Sequence, residues 1–358
     1  MRRAVRDAST KSEKNRVVFY GEVHGRTLSC AGLGDEVVMR ASALARSNIA
    51  LVKYWGKRDA TLNLPAAGSI SMTLDGLETR TTVEFGPWER DSVFINDEAL
   101  EGKGLAKISK FLDLVRPGTL CADVRSTNSF PTAAGLASSA SGFAALALAA
   151  SQAAGLELTP QELSVLARRG SGSAARSIVG GFAIWHEGQK SDGTDSFAEE
   201  LVPAEHWDLR CVVLVTRKGP KDVPSTEGMN HTMETSPFYA EWLNTVRRDM
   251  DGAKEAVFEK DFVRLAEISE GSCLAMHASA MAARPAVIYW NARTLELIHE
   301  VRRLRVQGKA CFFTIDAGPH VKVFTTAEDL DGVKAYFQDH PSVEDLLVAK
   351  PGQGAELL

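Results

Sequence analysis

Apolar and polar positions divide the chain into three stretches. Residues 1–38 are polar at first and then carry Gly21, Gly25, Gly32 and Gly34 without a period. This predicts a weakly ordered extension, with organised sequence beginning near Ala41. From Ser47 to Val83 the pattern is one of strands and turns. In SISMTL, Ile70, Met72 and Leu74 fall on one face of a strand. TRTTVEF and DSVFIN, around Val83 and Phe94, read as further strands. Residues 104–115 space Leu105, Ile108, Phe111, Leu112 and Val115 along one helical face. Ala137 to Ala154 reads as a long helix of small residues. Residues 160–170 form another, with Pro160 at its start and Gly170 at its end.

The texture changes near Glu205. RCVVLVT is a buried strand followed by a Lys-rich loop, RKGPKDVPSTEG. Helices dominate from Ser236 to about Arg305. CFFTID and VKVFTT are strands joined by AGPH as a hairpin, and residues 327–340 predict a last helix. Strands and helices occur in both halves without strict βαβ alternation, so the class is α+β. The expected division is 39–205 and 206–358. A length of 358 residues, at roughly 150 per domain, agrees with two domains.

Composition narrows the function classes. Hydrophobic residues are 44% and charged residues 24%, which argues against a disordered or fibrous chain. The net charge of −5 with no basic tail argues against nucleic acid as the partner. An anionic small molecule would need a local concentration of Lys and Arg. Cys30, Cys121, Cys211, Cys273 and Cys311 are scattered, with no C-x-x-C pair. That predicts a reduced, cytoplasmic protein without structural zinc. Ser126 to Leu156 carries no charge, but Pro131, Gly135, Gly142 and many Ser, Thr and Asn residues rule it out as a spanning helix. The first 16 residues lack the apolar core of a secretory signal.

Four places can carry chemistry. The first is Pro131-Thr-Ala-Ala-Gly135-Leu136-Ala137-Ser138-Ser139-Ala-Ser141-Gly142, a Gly/Ser loop opening into a helix. Unpaired N–H groups and the helix dipole make such a start an anion site, and Ser hydroxyls can touch a magnesium ion. The alternative is an Ala/Ser helix packed in a core. The segment is neither G-x-x-x-x-G-K-[ST] nor G-x-G-x-x-G, which disfavours the common nucleotide folds. The second is NIALVKYWGKRD, which gathers Lys53, Lys57 and Arg58 with Tyr54 and Trp55. It is either an anion cluster or a basic turn with aromatic anchors. The third is RRGSGSAARSIVGG, with Ser171, Ser173 and Arg176. A guanidinium there can clamp a carboxylate, or the run is a helix start with an exposed arginine. The fourth is Asp316 in FTIDAGPH, at a strand-to-loop junction of the kind that often carries function. D-A-G-P is also a good ordinary turn.

Taken together these residues carry a resemblance. P-x-x-x-G-L-x-S-S-x-S resembles the phosphate loop of the galactokinase, homoserine kinase, mevalonate kinase and phosphomevalonate kinase (GHMP) superfamily. Within it, the chain resembles the diphosphomevalonate decarboxylases. The matching motifs are SNIALVKYWGKRD (47–59), NLPAAGSISMTL (63–74), NSFPTAAGLASSASGFAALALAA (128–150), RRGSGSAARSIVGGF (168–182), KDVPSTEGM (221–229) and FTIDAGPHVKVF (313–324). They occur in the family's order and span nearly all of residues 41–345.

The resemblance implies a two-domain GHMP-kinase-like fold. Its N-terminal half is ribosomal-protein-S5-domain-2-like, its C-terminal half ferredoxin-like, and the active site lies in the cleft between them. The implied reaction is ATP-dependent decarboxylation of mevalonate 5-diphosphate with Mg2+, in a homodimer. The implied ATP site is Pro131, Gly135, Leu136, Ala137, Ser138, Ser139 and Ser141, with Ser139 at the magnesium ion. Lys53 is implied beside the reacting hydroxyl and Asp316 as the catalytic carboxylate. Tyr54, Lys57, Ser225 and Thr226 would hold the diphosphate, although some bacterial relatives carry Arg at the position of Thr226. Asn48, Ser171, Ser173 and Arg176 would hold the rest of the substrate, with Arg176 on its carboxylate. The sister kinases carry an Asp where this chain has Arg176. Lys103 aligns with a family arginine, and the remaining Lys/Glu run of 101–110 reads as a solvated face. His277 matches a family histidine or is a satisfied core residue. The alternatives are a phosphomevalonate decarboxylase, a mevalonate 3-kinase, or a binding protein that kept the fold.

Overall fold

The computed structural model describes residues 38–130, 138–217, 219 and 222–358. The extension (expected at 1–38, of which 1–37 are not described), the loop residues Pro131 to Ala137, and Lys218, Pro220 and Lys221 lie outside these.

The first domain is organised on two long strands. β1 (Met39–Val52) runs antiparallel to β4 (Ser69–Gly86), and between them lie the small paired strands β2 (Lys57–Asp59) and β3 (Leu64–Pro65). β1 shifts register between Arg46 and Asn48 and again between Ala50 and Val52, just before the Lys53 to Gly56 turn. β5 (Ser92–Ile95), β6 (Glu98–Ala99) and α1 (Gly102–Leu112) follow, then β7 (Cys121–Asn128), which pairs with the far half of β4. β5 is parallel to β7. α2 (Ser138–Ala153) packs on this sheet. Its alanines at 140, 144, 145, 147, 149 and 150 are all buried, which lets the helix sit close to β1 and β4.

α3 (Pro160–Gly170) starts at a Thr159/Glu162 capping box, which satisfies two of its orphan N–H groups. A 3-10 segment, Gly172–Ile178, leads to β8 (Phe182–Trp185) and β9 (Ala198–Val202). β8 pairs with the near half of β4. The strands expected separately at SISMTL and TRTTVEF are therefore one strand. Residues 69–74 are buried on both faces rather than one. Ile70, Met72 and Leu74 enter the apolar core, while Ser69 and Thr73 hydrogen-bond Arg176 and the Val179 carbonyl.

The second domain is a four-stranded antiparallel sheet with helices. Its elements are β10 (Leu209–Val215), α4 (Ser225–Thr235), α5 (Tyr239–Glu259), α6 (Phe262–Met281), α7 (Ala292–Val306), β11 (Cys311–Thr314), β12 (Val321–Thr326), α8 (Leu330–Gln338) and β13 (Asp345–Ala349). The spatial order is β11-β12-β10-β13. A last short strand, β14 (Glu356–Leu357), returns to the first domain and pairs with β1.

Alternation along β10 divides its side chains. Val212 and Leu214 pack with Leu297, Val301, Val333 and Phe337 of α7 and α8. Cys211, Val213 and Val215 share a core with Ile49, Leu51, Trp55 and Met72 of the first domain. Strands β11 and β12 form the expected hairpin. The Lys-rich loop is shorter than expected, because α4 begins at Ser225 after Pro224, a residue suited to a helix start.

Candidate active site

A cavity of about 880 Å³ opens where the two domains meet. Lys53, Lys57, Lys107, Lys110, Arg169 and Arg176 line it, and Asp316 is the one acidic side chain among its lining residues. Such a wall suits a polyanion.

Asp316 ends the β11 side of the hairpin and meets Lys53 from the end of β1. Lys53 Nζ donates to Asp316 Oδ1 at 2.6 Å, and the lysine is 1% exposed. The Lys53 backbone N–H donates to Ser272 Oγ on α6, which anchors the turn across the domain boundary. Lys322 Nζ stands 3.7 Å from Asp316 Oδ2. Burial would raise the Asp316 carboxyl. The charges of Lys53, Lys322 and Arg176 and the Lys53 hydrogen bond outweigh it and hold the group well below the usual carboxylate range.

Arg176 is 3% exposed in the 3-10 segment. Its Nε donates to Asn48 Oδ1 at 3.0 Å and its Nη1 to Ser69 Oγ at 2.8 Å. Its guanidinium lies over the Trp185 ring, 5.7 Å from the centroid. Burial pulls its pKa down to about 10, against the pull of Asp316. Asn48 is fixed in turn by donating to the Ser173 carbonyl and to Ser177 Oγ. The alternative of an exposed arginine is thereby set aside.

Tyr54 stacks edge-on against Trp185 at 4.8 Å between ring centroids. Its hydroxyl is buried, makes no hydrogen bond among the described residues, and belongs to a side chain that lines the cavity. Burial pushes its pKa well above the usual tyrosine range. A buried unpaired hydroxyl is costly, so a ligand oxygen is its natural partner. Gly172 makes room for it, since a Cβ there would lie 2.7 Å from Tyr54 Oη and 3.0 Å from the Trp185 ring. Gly172→Ala is expected to displace the tyrosine and raise KM for the phosphorylated substrate about tenfold or more, the value of one charge-assisted hydrogen bond. Steady-state kinetics with a parallel thermal melt check this. An unchanged KM would mean that Tyr54 does not touch the ligand.

Lys57 Nζ donates to Asn63 Oδ1 at 2.7 Å. Asn63 in turn donates to the carbonyls of Arg168 and Arg169 at the end of α3. Burial, with the charge of Lys107 behind it, lowers the pKa of Lys57. Ser171, Ser173, Ser225 and Thr226 all line the cavity, as do Ser138 and Ser139 in the first turn of α2.

Three expectations come out differently. Ser141 lies in the core, where its hydroxyl pairs with Thr79 Oγ1 at 2.7 Å, and it does not line the cavity. It sits about a turn beyond Ser138, on the side of α2 turned toward β1 and β4. Lys103 is exposed and also off the cavity. Lys107 and Lys110, expected on a solvated face, are exposed and also line the cavity, with Lys107 Nζ 4.5 Å from the Phe143 ring centroid. They lie on the same face as Lys103, one and two turns further along α1. Pro131, Gly135, Leu136 and Ala137 lie outside the described residues. His277 is 1% exposed, and its Nε2 donates to the Ile315 carbonyl at 3.2 Å. Burial lowers its pKa to about 3. It is a neutral strut beneath the Asp316 turn.

Serine and the buried Lys322 add residues that the sequence reading did not single out. Ser69 fixes Arg176, Ser272 fixes Lys53, and Lys322 faces Asp316. The alternation of SISMTL put Ser69 opposite the apolar face, and that was the available signal for it.

Comparison with known proteins agrees with this geometry. Residues 45–198 match the family described as diphosphomevalonate decarboxylase-like N-terminal domain, and residues 211–352 match the mevalonate 5-diphosphate decarboxylase C-terminal domain. The diphosphomevalonate decarboxylase of Aspergillus fumigatus is 39% identical over 327 residues, covering 85% of this chain and 81% of that protein. The mevalonate diphosphate decarboxylase structure from Enterococcus faecalis has 44% identity and a TM-score of 0.84, covering 90% of this chain and 99% of that one. That from Staphylococcus aureus has 40% identity and a TM-score of 0.85, covering 90% and 98%. A further structure, at 45% identity and a TM-score of 0.85 over 90% of this chain and 99% of that one, is described as a complex with MVAPP, AMPPCP and magnesium. The chain belongs to the diphosphomevalonate decarboxylase family of ATP-dependent enzymes.

Proposed function

We propose that this protein phosphorylates the tertiary hydroxyl of mevalonate 5-diphosphate with ATP and then decarboxylates it to isopentenyl diphosphate, releasing ADP, phosphate and carbon dioxide. The observation that carries this reading is the Lys53–Asp316 pair at 2.6 Å, with the buried Arg176, in a cavity whose other charged lining residues are all cations.

A 3-hydroxy acid loses carbon dioxide poorly because hydroxide is a poor leaving group. Asp316 orients the C3 hydroxyl and takes its proton as that oxygen bonds to the terminal phosphorus of ATP and ADP departs. Lys53 balances the charge gathering at the transferring group. The C3–O bond then breaks and its electron pair leaves with phosphate. The electrons of the C1–C2 bond move into a C2–C3 double bond as carbon dioxide is lost. Arg176 holds the carboxylate so that the C1–C2 bond lies parallel to the breaking bond.

Tyr54, Lys57, Ser225 and Thr226 hold the diphosphate, and Ser171, Ser173 and Asn48 hold the remainder. The nucleotide phosphates lie at the start of α2, including Ser138 and Ser139. A neighbouring cavity of about 220 Å³, walled by Val93, Ile108, Val124, Phe143 and Leu146 and sharing Ser138 and Ser139, takes the base. No group of three or more His, Cys, Asp or Glu side chains that could hold a metal occurs among the described residues. That fits magnesium, which keeps water and takes much of its coordination from substrate phosphates. Ser139, which lines the cavity, would offer the ion a hydroxyl, and the ion would offset phosphate charge. No helix among the described residues is long and apolar enough to cross a membrane. We place the enzyme in the cytoplasm as a homodimer, with division of the chain near residue 205.

A substrate panel tests this reading. Each charge-assisted bond to the second phosphate contributes about 1.5–3 kcal/mol. Mevalonate 5-diphosphate is therefore expected to exceed the 5-phosphate by at least about 100-fold in kcat/KM. Comparable rates with the 5-phosphate would overturn the diphosphate preference and favour a phosphomevalonate decarboxylase. ATP consumption without carbon dioxide would make it a 3-kinase, and neither signal would leave a binding protein.

A further inference from the structure

The carboxylate of Asp316 has a lysine on each side, and the two lysines differ in where they stand. Lys53 lines the cavity and comes from the first domain. Lys322 is 0% exposed, sits on β12 in the second domain, and is not among the cavity's lining residues. Its Nζ is 3.7 Å from Asp316 Oδ2 and donates to the His320 carbonyl at 3.4 Å. A buried lysine is expensive unless it is paired. Burial pulls Lys322 below the ordinary lysine range, and Asp316 opposes that pull.

Other titratable groups lie close to this pair, among them the buried His320, whose Nδ1 accepts from the Thr216 N–H. Arg176 reaches Asp316 from the 3-10 segment, and Cys211 from β10 and Cys273 and His277 from α6 face the two lysines. Burial raises both thiols and lowers the His277 imidazole, so these three are neutral near pH 7. The largest charges acting on Asp316 among the described residues are Lys53, Lys322 and Arg176.

Substrates change this balance. ATP and a diphosphate fill the cavity with negative charge, and they meet Lys53 and Arg176, which line it. Those two cations are then shared with phosphoryl and carboxyl oxygens. Lys322 lies behind Asp316, where the substrates do not reach. We propose that Lys322 is a positioning residue that holds Asp316 ionised, and its second oxygen oriented, once the cavity is filled with anions. This rests on the assignment of Asp316 as the proton acceptor.

The test is the pH dependence of kcat, which reports groups in the loaded enzyme. Lys322→Met and Lys322→Gln are compared with wild type, with thermal melts alongside. Gln keeps polarity without the charge should Met fail to fold. An opposite charge within about 4–6 Å lowers a carboxyl by about 1–3 pH units. The acid limb of kcat is therefore expected to move up by at least about one pH unit, with the rate recovering toward wild type at high pH. KM for ATP is expected to change less than threefold. Lys322→Arg should keep the limb near its wild-type place. A uniformly lower kcat with an unmoved limb would reduce Lys322 to a packing role and overturn the proposal. Loss of the wild-type decarboxylation itself would instead defeat the reading of the reaction, so the two failures are distinct.

Discussion

Asp316→Asn is expected to lower kcat by roughly 10²–10⁴-fold, the usual value of a general base. Asparagine keeps the shape of the side chain and can still accept one hydrogen bond from Lys53. It cannot take a proton. KM for mevalonate 5-diphosphate is expected to change little, because Tyr54, Lys57 and Ser225 hold the far end of the molecule. The variant also leaves the ammonium groups of Lys53 and Lys322 without their shared counter-charge, so a lower melting temperature is expected. The sign of the pH effect follows from the depressed pKa. The stabilisation is present above the unfolded carboxyl's range, near pH 4, and is lost as pH falls below it. Rates are therefore compared near pH 7, at a temperature where both proteins are folded. Turnover within about threefold of wild type would show that Asp316 is not the base.

Arg176→Lys is expected to lower carbon dioxide release by at least about 100-fold, the scale of a misplaced reacting group. The guanidinium makes two directed bonds at once, to Asn48 and Ser69, while its face lies on Trp185. An ammonium cannot reproduce that fork. The site also pulls Arg176 down to about 10 by burial. A lysine starts from a lower pKa than arginine and is less able to stay charged there. ATP affinity is expected to hold, since Ser138, Ser139 and the base cavity are untouched. Following ADP and carbon dioxide separately in a single turnover separates the two steps. A harmless Arg176→Lys would mean that charge alone is needed, and the orientation argument would fall.

The residues we assign to catalysis stood out in the sequence because each lies in a short, compositionally distinct motif. Lys53, Arg176 and Asp316 are far apart in the chain and meet because β1, the 3-10 segment and the β11–β12 hairpin converge on one cavity. What stayed hidden depended on direction within an element. Ser139 and Ser141 read alike in a Ser-rich helix start, yet one lines the cavity and the other bonds Thr79 in the core. Lys103, Lys107 and Lys110 share one exposed face of α1, and only the latter two, further along the helix, reach the site. Lys322 sits in an apolar strand, VKVFTT, where alternation alone would turn it outward. The sheet carries α7 and α8 on one face and α5, α6 and the first domain on the other, so there is no outward face. The alternation of SISMTL places Ile70, Met72 and Leu74 in the core, and its polar side is buried too, with Ser69 on Arg176 and Thr73 on the Val179 carbonyl.

The central claim is that one site couples ATP cleavage to decarboxylation through Lys53, Asp316 and Arg176. The most direct measurement is a single turnover of the full chain with Mg2+, ATP and mevalonate 5-diphosphate labelled at the carboxyl carbon. ADP and labelled carbon dioxide are quantified together. The account predicts equal amounts of the two, with Arg176→Lys losing carbon dioxide more severely than ADP and Asp316→Asn losing both. ADP formed by the wild-type protein without matching carbon dioxide would contradict it.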